Sequence, residues 1–145
     1  MPDDEQALLQ RAIKASEGAY APYSAFYVGA ALILDSGEII TGNNQENAAY
    51  PLGLCAERVA FFAAMANHPK AKIIKCAIYA HSENIRVDEP VAPCGACRQA
   101  MSEYEDKQRC DITLVLSGQH GKIARIHGVH ELLPLRFGRK SLGKD

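Results

Sequence analysis

A charge surplus, a membrane-length apolar run and an even set of cysteines are all missing from this sequence, and each absence removes a class of protein. The 16 basic and 17 acidic residues leave a formal net charge of −1, so there is no broad positive field of the kind a phosphate-backbone binder needs. Polymeric nucleic acid is excluded as the main partner. No apolar stretch approaches the roughly 20 residues of a membrane helix, which argues against a membrane partner. The opening "MPDDEQALLQRAIKAS" is acidic and then amphipathic. It lacks the basic, apolar and small-residue order of a secretory signal, so a cytoplasmic protein is expected. Five cysteines without an export signal favour thiols and metal ligands over a disulfide framework. Repeats, low-complexity tracts and dividing linkers are missing too, and 145 residues suit a single domain over 1–145, with 136–145 as a solvated tail.

What is present alternates between helical and strand patterns. Ala7, Leu8, Ile13 and Ala15 spaced among charges predict a helix over 4–16. "FYVGAALILDSGEIITGNN" has β-branched, apolar runs on either side of "DSGE", which predicts a hairpin with strands near 26–34 and 38–43. Residues 54–66 are rich in Ala, Phe and Met without Gly or Pro, a buried helix that "NHP" ends. "IIKCAIYA" predicts a central strand near 72–80 because both of its faces are apolar. A helix opening at Pro93, in its first turn, follows; strands in "CDITLVLS" and "GKIARIHG" and a short helical turn in "VHELL" come last. Helix, hairpin, helix, strand, helix, strand, strand implies an α/β fold of three layers, α/β/α, around a mixed five-stranded sheet.

The chemistry concentrates at two helix starts. In "PCGAC", Cys94 and Cys97 stand three apart, which puts both sulfurs on one side of a first helical turn. A CxxC alone is compatible with a redox pair, half of a structural zinc site or a catalytic metal. Cys55 in "LGLCAERVA" also opens a helix after a strand, so three thiolates can meet at one end of the sheet. Three protein ligands with a fourth position left for water is the form of a catalytic zinc site. The alternative is a closed four-cysteine site completed by Cys76 or Cys110. Cys76 sits mid-strand among apolar residues, where an inert core thiol is the commoner outcome. Cys110 opens a strand at the opposite end of the sheet.

Glu57 can serve such a zinc as a proton shuttle that does not ligate it. At a helix start the Cα–Cβ bonds tilt toward the N-terminus, so Cys55 and Glu57 can reach one point beyond the helix end. Its simpler reading is a first-turn acid favoured by the helix dipole by about 0.3–1 kcal/mol. Arg58 has an electrostatic task. Zinc, three thiolates and a hydroxide carry an excess of about two negative charges. Two helix N-termini, worth roughly +0.5 each, and one guanidinium bring this near neutrality. His127 and His130, three apart, are expected to lack an acidic or cysteine partner and to be exposed or capping.

The pattern C-A-E followed by P-C-x-x-C resembles the zinc nucleobase deaminases. The stretches "YAPYSAFYVGAAL", "NNQENAAYPLGLCAERVA", "APCGACRQ" and "VHELLPLRFG" are similar to those of the small homotetrameric cytidine deaminases, a resemblance that runs from Tyr20 to Gly138. It implies one Zn2+ per chain on Cys55, Cys94 and Cys97. It implies hydrolytic deamination of cytidine and deoxycytidine to uridine and deoxyuridine in pyrimidine salvage: zinc-held hydroxide attacks C4, while Glu57 carries a proton to N3 and then to the departing amino group. Arg58 would bond the ligand sulfurs, and Asn44 and Glu46 the ribose hydroxyls. Phe26 would pack on the base, the Ala56 amide would meet the pyrimidine O2, and Phe137 would reach a neighbouring subunit's site in a homotetramer. Tyr27 and Gln45 depart from the family's usual proline and isoleucine. Competing readings are a deaminase of another aminopyrimidine nucleoside such as blasticidin S, a non-catalytic zinc module and a polynucleotide editor. Glu46 and Arg58, Glu57 beside an open position, and the near-neutral charge argue against these in turn.

Placing the zinc on Cys55, Cys94 and Cys97 predicts that the Cys76→Ser and Cys110→Ser variants keep one zinc per chain by elemental analysis. Loss in either would restore the closed four-cysteine site.

Overall fold

In a computed structural model that describes residues 1–144, the sheet grows outward from two long strands, β1 (Phe26–Leu34) and β3 (Ile73–Ser82). These pair antiparallel from Phe26↔Ser82 to Leu34↔Ile73. Strand β2 (Ile39–Asn43) folds back on β1 through a turn whose Gly37 has φ +90°, a conformation that suits glycine. Strand β4 (Thr113–Ser117) runs parallel to β3, and β5 (Ala124–His127) closes the other edge, giving the order β2-β1-β3-β4-β5. A parallel neighbour requires a crossover. Helix α3 (Gly95–Gln108) supplies it, after α1 (Asp3–Ser16) and α2 (Ala56–Asn67).

Side chains alternate across each strand, so one sheet serves two cores. Ala30, Leu32, Leu34, Cys76, Ile78, Leu114 and Leu116 face α2 and α3, where Phe61 and Met101 are fully buried. Ala31, Ala77 and Val115 face Leu8, Leu9 and Ala12 of α1. This is the three-layer arrangement that the element order implies. Gly29 and Gly42 allow the layers to approach closely: a methyl group at Gly29 would collide with the Ala12 carbonyl. One at Gly42 would lie 2.6 Å from the Ala60 nitrogen and 2.7 Å from the Ala56 oxygen.

Several expectations are corrected. Helix α1 buries Glu5, Leu8, Leu9, Ala12 and Ser16 while Ala7 is exposed, because a carboxylate takes a place that hydropathy would assign to an apolar residue. Glu5 is 1% exposed and receives Lys75 Nζ at 2.9 Å and Arg125 Nε at 2.9 Å, so one acid ties α1 to β3 and β5. Pro93 lies outside α3, since Cys94 is its N-cap. Cys110 sits in the loop before β4, which begins at Thr113. His130 does have acidic neighbours in space: Nδ1 is 3.4 Å from Glu105 and 3.7 Å from Asp111. Glu105 is buried and accepts from the backbone nitrogens of Ile112, Val129 and His130, a clamp between α3 and the chain on both sides of β4 and β5. Within the C-terminal tail, Arg139–Leu142 forms one 3-10 turn.

Burial alone would raise the Glu5 pKa, but the hydrogen bonds from Lys75 and Arg125 outweigh it and hold the carboxyl below its ordinary 4.5. A depressed folded-state pKa means stability that is present above the unfolded value and lost as pH falls through the folded one. Glu5→Gln should cost about 2 kcal/mol in denaturant unfolding at neutral pH. The gap to the parent should narrow once the pH falls below 4.5; a gap that does not change with pH would contradict the ion-pair account.

Candidate active site

Strands β2 and β3 both run antiparallel to β1, so they point the same way and end at the same edge of the sheet. The helices that follow them begin there. Cys55 is the N-cap of α2, and its carbonyl accepts from Val59 N at 3.1 Å; Cys94 is the N-cap of α3, and its carbonyl accepts from Arg98 N at 2.9 Å. Neither sulfur makes a capping bond to its own helix. Cys97 lies one turn into α3, fully buried, and the three sulfurs lie within 4.8 Å of one another.

The donor set fits zinc. Cys55 Sγ and Cys94 Sγ are 3.7 Å apart, whereas a disulfide would need about 2.0 Å. Sulfurs about 2.3 Å from a tetrahedral zinc stand roughly 3.8 Å from each other. Arg58 Nη2 donates to Cys55 Sγ at 3.5 Å, and Arg58 Nε is buried without a partner among the described residues, beside the cluster. The Cys55 thiol is lowered to about 5, first by its hydrogen bond with Cys97 and then by Arg58, while Cys97 is pushed up. Arg58 is raised in turn by the two sulfurs, Cys55 first. A thiolate beside a guanidinium and two helix N-termini is ready for a metal. Cys76 is fully buried mid-strand with its pKa pushed up by burial, and Cys110 lies beyond the far end of α3.

Glu57 is 5% exposed, and burial pushes its carboxyl above the usual range, with the charge on Cys55 adding to the effect. It faces a cavity of about 540 Å³ whose lining includes Cys55, Cys94, Ala56, Phe26, Asn44 and Glu46. The predicted base, sugar and proton-transfer residues therefore line one space. Ala56 is the first residue of α2 and completely buried; its amide belongs to the first turn, whose N–H groups lack intrahelical acceptors. Phe137 lines no part of this cavity: it is 61% exposed, and its carbonyl accepts from Gln99 Nε2 at 2.9 Å.

The loop between β2 and α2 is closed by two 2.9 Å hydrogen bonds between Gln45 and Leu54. Gln45 acts through its backbone, and its side chain donates to Asn43. Tyr27 stacks on His81, centroids 5.2 Å apart, and is not among the residues lining the cavity. Tyr27 therefore stays clear of the cavity, whereas Gln45 is one of the residues that line it. Asn44 is more occupied than a sugar contact requires: Oδ1 accepts from Val28 N and Nδ2 donates to Phe26 O, both at 2.8 Å. Glu46 Oε1 accepts from Tyr23 N at 3.0 Å and Ser24 N at 3.2 Å, and Oε2 accepts from the Ser24 hydroxyl. Ser24, Val28, Tyr50, Ile78, Val91 and Ala92 also line the cavity. Nothing in their sequence context separates them from ordinary strand and loop residues.

Comparison with known proteins agrees with this geometry. Residues 2–110 match the family described as "Cytidine and deoxycytidylate deaminase zinc-binding region". A cytidine deaminase of Halalkalibacterium halodurans is 44% identical over 134 residues, which is 92% of this chain and 94% of that protein. The crystal structure of cytidine deaminase from Burkholderia pseudomallei superposes with a TM-score of 0.79 at 38% identity, covering 94% of this chain and 100% of that one. A blasticidin-S deaminase of Bacillus cereus is 31% identical over 78% of each chain.

Replacing Arg58 by Met should leave the fold in place but weaken metal retention roughly 10–100-fold, as loss of a ligand's hydrogen-bond partner does elsewhere. Zinc loss to a chelator, followed against the parent, measures it; equal retention would count against charge compensation by Arg58.

Proposed function

The chain belongs to the cytidine and deoxycytidylate deaminase family, and from that premise we propose that it deaminates cytidine and deoxycytidine hydrolytically, yielding uridine or deoxyuridine and ammonia for pyrimidine salvage. One observation carries the reading: Glu57, Cys55 and Cys94 line the same cavity as Phe26, Asn44 and Glu46, and the buried Cys97 sulfur lies within 4.8 Å of the other two sulfurs. Zinc held by Cys55, Cys94 and Cys97 would supply an acidified water and a Lewis acid.

Glu57 does the proton work. Burial raises its carboxyl above the ordinary range, so it takes up a proton more readily than an exposed glutamate would. It takes a proton from the attacking water, places it on N3 of the pyrimidine and then protonates the departing 4-amino group. The proton for the amino group is the second one of the same water, taken by Glu57 from the hydroxyl now on C4. C4–O forms before the C4–N bond breaks; ammonia leaves with that bond's electron pair as C4=O forms, and no electrons are exchanged with a partner. Phe26 packs on the base, and the Ala56 amide takes O2, which orients C4 toward the cluster. Glu46 is kept below its ordinary pKa, first by the Ser24 hydroxyl, and so offers only acceptors to the sugar's hydroxyl groups. Asn44 adds one amide hydrogen and one lone pair beyond its backbone bonds.

Charge supports a nucleoside over a nucleotide. Among the described residues, the cavity lining holds Glu46 and Glu57 and no lysine, arginine or histidine. A sugar phosphate would enter with like charge opposite it and no counterion. The same cavity gives no track for a polynucleotide backbone. Tyr50 at 74%, Leu135 at 94% and Phe137 at 61% exposure are large apolar groups turned outward, which supports a homotetramer in which Phe137 completes a neighbouring subunit's site.

Ultraviolet assays should show turnover of cytidine and deoxycytidine, with cytidine monophosphate and blasticidin S far slower. Glu57→Ala should keep its zinc and lose roughly 10²–10⁴-fold in kcat. Ammonia release near the parent rate would refute the role of Glu57, and preference for blasticidin S would move the enzyme to the antibiotic branch.

A further inference from the structure

The turn before β1 touches both halves of the site at one atom. Ser24 Oγ donates to Glu46 Oε2 and accepts from Phe26 N at 3.1 Å. The same turn gives Glu46 Oε1 the amides of Tyr23 and Ser24. Phe26 is therefore gripped at both backbone groups from the sugar side of the cavity, its N–H by Ser24 and its carbonyl by Asn44 Nδ2 at 2.8 Å. Between them Ala25 has φ +52°, a left-handed conformation that a residue with a Cβ keeps only where its surroundings over-determine it. Those surroundings include Ala25 N bonded to Ala21 O at 3.0 Å and Ser82 Oγ donating to Ala25 O at 2.9 Å.

We propose that Ser24 is a positioning residue: its one hydroxyl joins the carboxylate that takes the sugar to the main chain that carries the base-packing ring, so the two contacts are set as a unit. This rests on the cytidine reading above. Ser24 does not touch the reacting atoms. Its bond to Glu46 is present before substrate arrives and lies away from the reacting atoms, so its loss should weaken substrate and transition state alike, seen in KM and not in kcat. A hydroxyl bonded to a carboxylate is worth enough to shift binding roughly tenfold.

The test compares zinc-loaded, full-length parent, Ser24→Ala and Ser24→Thr enzymes with cytidine, each alone and with Glu46→Gln, with zinc content and Tm measured for all. Ser24→Ala should raise KM roughly tenfold with kcat within about twofold, and Ser24→Thr, which keeps the hydroxyl, should stay within about threefold of the parent. In the Glu46→Gln background, Ser24→Ala should add less than about twofold, because its partner is already altered. Should the alanine variant lose zinc, Ser24→Cys, close in size but a weak donor, carries the same expectation. An unchanged KM, a threonine variant as impaired as alanine, or the same factor in both backgrounds overturns the proposal. A parent enzyme that leaves cytidine untouched overturns the function itself. Normal parent turnover with unresponsive Ser24 variants overturns the positioning role alone.

Discussion

Two helices can aim their first-turn amides at one point only if the strands that feed them leave the sheet at the same end. Here that condition is met because β2 and β3 are both antiparallel to β1. Cys55 and Cys94 then become N-caps facing a common space, and Cys97 follows one turn later. Three thiolates gathered this closely would repel one another in a neutral environment. Two helix ends and the Arg58 guanidinium provide the positive potential that holds them. Glu57 shares the space because it occupies the same first turn of α2 as the residue next to it, Arg58.

The depth at which α2 sits on the sheet is the second constraint. Gly42 of β2 lies against the backbone of Ala56 and Ala60, so the start of the catalytic helix rests directly on the strand. Any side chain there would lift α2 and move Glu57 relative to the sulfurs. Phe26 at the start of β1 and Asn44 and Glu46 just past the end of β2 line the same cavity, which makes the cavity a product of register.

How much of this could be read from the chain depends on how local the cause is. The cysteines and Glu57 were legible because a helix start dictates where its first residues point, and the residue types leave few chemistries. The succession of helices and strands along the chain was legible in hydropathy and turn residues, whereas the sheet order β2-β1-β3-β4-β5 rests on long-range pairing that they do not specify. Glu5 was not legible, since its partners Lys75 and Arg125 lie far away in sequence, and a buried acid in an amphipathic pattern reads as surface. His130 was misjudged likewise, because Glu105 and Asp111 reach it only through the fold. The start of α3 was placed two residues early, at Pro93, because the N-cap role falls to a cysteine, which is not among the usual capping residues. Ser24 and the double use of the Asn44 amide depend on a loop conformation that composition does not specify.

The Asn44 side chain has a consequence beyond the cavity. Strand β2 ends at Asn43, paired with Gly29, so the first residues of β1 would present bare main-chain groups on that side. Asn44 fills the gap, offering Oδ1 to Val28 N and Nδ2 to Phe26 O as a further strand residue would. An open strand edge is a template for pairing with another chain. One amide thus blunts an aggregation-prone edge at the cavity mouth, where bulky residues to cover it would block entry.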